Sequence, residues 1–103
     1  MKHKKYEYKT LSQEEMDEIV VDFLKAQERD LFCHEINLAR YEEMLKVLPP
    51  GPWRDRIAQL RDETIQRKEE VESIIATTQV PNKQRIEAAL KRIKAKEEGL
   101  SGA

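Results

Sequence analysis

With 103 residues, 38% of them charged and only 6% aromatic, the chain has room for one domain and one core, and its balance favours charge-laced helices over a sheet. The single cysteine excludes an internal disulfide, and no apolar run approaches the roughly 20 residues that a membrane-spanning helix needs. The formal net charge of −1 conceals an asymmetry, because residues 1–10 carry +3, 11–48 carry −6, 49–81 carry −1 and 82–103 carry +3.

Residues 1–10 hold Lys2, Lys4, Lys5 and Lys9 without the apolar stretch of a signal peptide, so a cytoplasmic, soluble protein is expected. Tyr6 and Tyr8 alternate with charged residues as in a strand, but no second strand offers itself as a partner, and a basic flexible arm is the expectation. A single helical domain should then occupy 11–98, followed by a disordered tail at 99–103.

Ser12 and Glu15 form a capping-box pair that starts the first helix, with Glu14, Glu15, Asp17 and Glu18 near the positive end of its dipole. Val20, Leu24, Leu31, Leu38, Tyr41, Leu45 and Leu48 follow at alternating spacings of three and four, with Gln27 and His34 filling the gaps. This is a coiled-coil seam with two polar interruptions, and it predicts a helix over about 12–48, some 55 Å long. Ile19, Phe23, Ala26, Phe32, Ile36 and Ala39 read as a second apolar line on the same helix.

Pro49, Pro50, Gly51 and Pro52 predict a tight reversal, with Pro52 in the first turn of a second helix over about 52–78. Trp53, Ile57, Leu60, Ile65, Val71, Ile74 and Ile75 keep helical spacing, and so short a connection forces antiparallel neighbours. Pairing across the turn puts Leu48 near Trp53, Leu45 near Ile57 and His34 near Thr64 and Lys68. Thr77, Thr78, Val80 and Pro81 argue for a stop, and Asn82 for the cap of a short third helix over about 83–98 that ends at Gly99. The expected fold is therefore all-α: a long antiparallel hairpin with a third helix docked on its open end, completed as a helical bundle by dimerisation.

The third helix is too short to cover the whole hairpin, which leaves Met44, Val47, Leu48 and Trp53 at the turn end, with Phe32 and Ile36 on the second line, as candidates for self-association or for binding a protein partner. Alternatively the turn end folds on itself, Trp53 lying over Leu48 and the prolines. The expected function is a non-catalytic interaction module, such as an adaptor, assembly factor or inhibitor. No cofactor and no small-molecule substrate is indicated: nucleotide-cradling glycine loops, Gly-x-Ser-x-Gly and Cys-x-x-Cys are all missing, and Cys33 and His34, adjacent on a helix, point about 100° apart, which is wrong for a thiolate–imidazole pair.

Two other functions fit less well. A nucleic-acid accessory protein would use Lys2, Lys4, Lys5, Lys83, Arg85, Lys91, Arg92 and Lys94, although these cations can equally face Glu14, Glu15, Glu18 and Asp22 within the chain. A carboxylate-rich metal bundle would draw on His34, Asp30, Glu35, Glu69 and Glu72, but the chain contains no Glu-x-x-His, and a polar residue in a coiled-coil seam ordinarily sets register.

Overall fold

A computed structural model of the protein describes residues 10–101. Within them the chain forms two helices, α1 (Gln13–Val47) and α2 (Pro52–Ser101), packed as an antiparallel hairpin. The basic arm expected at 1–10 lies outside the described residues except for Thr10.

The ends of α1 follow from local chemistry. The Ser12 hydroxyl accepts from the Glu15 N–H at 3.1 Å and the Glu15 carboxylate accepts from the Ser12 N–H at 3.3 Å, so both halves of the capping box are made. At the other end Leu48 is extended (φ −74°, ψ 132°), as a residue before proline prefers. Gly51 carries the reversal at φ 154°, which a side chain would strain, and Pro52 opens α2. Arg54 Nη1 donates to the Leu48 carbonyl at 3.0 Å, tying the two sides of the turn together.

Val21 and Leu24 of α1 and Ile57, Val71 and Ala89 of α2 are the buried apolar residues, while Leu31, Leu38, Tyr41, Leu45 and Leu60 are half-buried along the same seam. One seam between two helices buries little, and the radius of gyration of 20.7 Å far exceeds the roughly 13 Å of a compact domain this long.

The expected third helix is not separate. α2 continues through Thr77, Thr78 and Pro81 to Ser101, so helix 2 does not stop near 78 and Gly99 does not end the structure. Proline removes a donor and costs about 3 kcal/mol inside a helix, yet the helix runs on across it. Thr77 Oγ1 donates back to the carbonyls of Ser73 (2.8 Å) and Ile74 (3.2 Å). Asn82, instead of capping a new helix, donates its side-chain N–H to the Thr78 carbonyl at 2.8 Å. Above all the seam runs on: Val71, Ile75, Thr78, Asn82, Ile86, Ala89 and Ile93 keep a spacing of three to four and are all buried or half-buried.

The contacts of α2 beyond Pro81 depart from those of a straight hairpin. Arg85 meets Asp17 in the register of a straight hairpin, in which Lys96 would lie about 16 Å further on. Lys96 instead meets Glu18, one residue from Asp17. The arm of α2 beyond Pro81 therefore crosses over α1, with fully buried Ala89 at the crossing, where a small side chain lets the helices approach. This arm occupies the place expected for the third helix.

Candidate functional site

At the turn end Met44 and Val47 close α1 and Trp53 opens α2, on the two sides of the reversal. Val47 is 80% exposed and Trp53 71%, with Met44 partly exposed and Leu48 half-buried. Trp53 is too exposed to be folded over Leu48, and it lines a shallow cleft with Pro52 and Arg56. The reason is geometric: Trp53 occupies a seam position of α2, but α1 has ended at Val47 and leaves nothing opposite it. Lys46 beside this patch donates to Glu43 at 2.9 Å, and that hydrogen bond and charge raise the lysine pKa above its ordinary value.

The second apolar line does not form one face. Thirteen residues separate Ile19 from Phe32, about 3.6 turns of helix, so the two project from nearly opposite sides. Ile19 and Phe23 flank the seam near the start of α1, whereas Phe32, 61% exposed, stands with Lys25, Glu28, Arg29 and Cys33 on the far side, and Ile36 is half-buried. Phe32 and Ile36 lie about 22 and 16 Å before Val47 along α1.

The basic residues of the arm are largely turned inward. Arg85 Nε and Nη2 both donate to Asp17 Oδ1, at 3.0 and 2.7 Å, and Gln13 donates to the same oxygen at 2.9 Å. Lys96 pairs with Glu18 at 2.9 Å, and Arg92 Nη2 reaches the Glu14 carbonyl at 3.4 Å. Asp17, 8% exposed, is the central acceptor, a role the sequence hides because its partner is 68 residues away. Lys83, Lys91 and Lys94 remain exposed, with Glu87 on the same outward face; Lys2, Lys4 and Lys5 lie outside the described residues.

His34 faces the seam and lies 3.5 Å from Asp30, itself largely exposed. Thr64, the neighbour expected for His34, is buried but donates its hydroxyl to its own helix, at the Leu60 carbonyl. Glu35, Glu69 and Glu72 are exposed, and among the described residues no three His, Cys, Asp or Glu side chains gather as a metal site would require. Among those residues, too, no helix is long and apolar enough to cross a membrane. The chain matches no family model, and comparisons with curated proteins and with solved structures find no match either.

Proposed function

We propose that this protein is a non-catalytic protein–protein interaction module that presents the turn end of its hairpin, Met44, Val47, Leu48 and Trp53, to a macromolecular partner, the first such partner being a second copy. The observation that carries this reading is the exposure of both Val47 and Trp53 at the ends of a braced turn. Tryptophan is enriched among the residues that dominate binding energy, and a rigid platform loses little entropy when it docks. The accessible surface of 8588 Å², against roughly 6,000 Å² for a compact monomer of this mass, also favours an extended protein completed by association. Nucleic-acid binding ranks lower because Arg85, Arg92 and Lys96, half of the cations in 82–101, are directed at α1.

Trp53 is the only tryptophan, so its fluorescence reports the patch directly. Its emission should shift to shorter wavelength as concentration rises, in step with a two-chain mass in native mass spectrometry. Trp53→Arg should give a one-chain mass with unchanged helicity. A variant that keeps the wild-type mass, or a wild-type emission fixed at the solvent-exposed value throughout, would rule the turn end out as the self-association surface.

A further inference from the structure

The arm beyond Pro81 is held on α1 chiefly by polar contacts. Arg85 on Asp17, Lys96 on Glu18 and Arg92 on the Glu14 carbonyl fasten it, while its apolar cover is thin. Ala89 is its one buried residue among those described; Ile86 and Ile93 are half-buried and Leu90 is partly exposed. The fit is also imperfect. Arg92 Nε is buried without a hydrogen-bond partner, and a cavity of about 150 Å³ separates Ile86 and Leu90 from Val21 and Leu24.

The arm joins the hairpin through a helix that passes across Pro81, where a backbone hydrogen bond is missing by chemistry. Unbending there lifts the arm as a unit and leaves its internal helical bonds intact. The seat it vacates combines the acidic start of α1 with Val21 and Leu24, and the segment that matches this seat in charge and shape is an arm of this same sequence. Nothing in the contacts requires the arm and the seat to belong to one chain.

We propose that the arm 82–101 exchanges between two copies of the protein, each arm pivoting about Pro81 to place its Arg85 on Asp17 and its Lys96 on Glu18 of the other copy. Because the exchanged contacts are the same as those made within one chain, the closed chain predominates in dilute wild-type and Trp53→Arg protein and the exchanged pair is a minor state. It lies at the opposite end of the hairpin from Trp53 and is independent of the turn-end reading.

The test uses full-length protein carrying Trp53→Arg, so that the turn end contributes no association. Two charge reversals are made separately, Asp17→Arg in one chain and Arg85→Asp in another. Each faces like charge within its own chain and within its own homodimer, but an exchanged heterodimer restores both opposite-charge pairs at once. The two are mixed at low ionic strength and followed by native mass spectrometry and circular dichroism. The expected result is a shift from the one-chain to the heterodimer mass on mixing, with a gain in helicity if either variant alone is partly unfolded. A third chain carrying both reversals, which restores the pair internally, should stay helical and gain no heterodimer when mixed with either single variant. If the two single variants remain at the one-chain mass with the helicity of the separate samples, exchange is overturned.

Discussion

Asp17 shows how much one side chain can organise. It takes three hydrogen bonds on a single oxygen, two of them from Arg85, and it sits where the arm crosses α1. Replacing it with alanine should destabilise the fold by about 1–2 kcal/mol, at the lower end for a nearly buried acceptor because Arg85 is 51% exposed and regains water. In a thermal melt a loss of that size lowers the midpoint by several degrees. His34 should behave in the opposite way. Its side chain is only 16% exposed and its contact with Asp30 is long and partly solvated, so the imidazole contributes little to holding the seam. His34→Leu should raise stability by about 1 kcal/mol through added apolar burial, again read from a melt. A His34→Leu protein that melts lower, or that changes its oligomeric state, would identify the histidine as a register or binding determinant.

The helices divide into parts that read plainly from the sequence and a part that does not. α1 was legible to within a residue at each end, because Ser12 with Glu15 and the Leu48–Pro49 step act over less than one turn. The start of α2 at Pro52 was legible for the same reason. The stretch from Thr77 to Asn82 misleads, since every local preference there favours a stop, and only the unbroken seam spacing from Val71 to Ile93 signals that the helix goes on. The changed course of the arm beyond it is one that an internal proline can produce. Pro81→Ala should straighten α2, draw the arm away from Glu14 and Glu18, and raise the radius of gyration above 20.7 Å in small-angle scattering. An unchanged radius would mean that the docked arm, and not proline, imposes the bend.

The whole molecule is an elongated hairpin of 57 × 47 × 32 Å whose two ends differ in physics. The turn end offers apolar surface; the open end closes with ion pairs between an acidic helix start and a basic arm. Raising salt from 0.1 to 1 M shortens the Debye length from about 10 to 3 Å, which weakens the open-end contacts and leaves apolar association intact or stronger. In Trp53→Arg protein, high salt should therefore loosen the arm and increase the radius of gyration. In wild-type protein, the two-chain mass fraction measured by sedimentation should hold or rise under the same conditions. A wild-type dimer that dissociates with added salt would place its interface among the charges and away from Trp53.

From the residue order alone came the helical class, the hairpin, the capped start of α1, the proline-rich reversal and the seam between the helices. All of these rest on interactions within a few residues or on a repeating pattern, and such signals survive without knowledge of distant neighbours. The apolar line from Ile19 to Ala39 was misjudged even so, because its spacing departs from the helical repeat by nearly half a turn. Three features depended on the assembled chain: the passage of α2 through Pro81, the pairing of Asp17 with Arg85, and the exposure of Trp53. In the first two, residues far apart in sequence decide the outcome; in the third, the structure chose between the two readings of the turn end. α2 runs on through Pro81 against a proline penalty of about 3 kcal/mol, with its seam packed on α1, and the end of α1 at Val47 leaves Trp53 exposed.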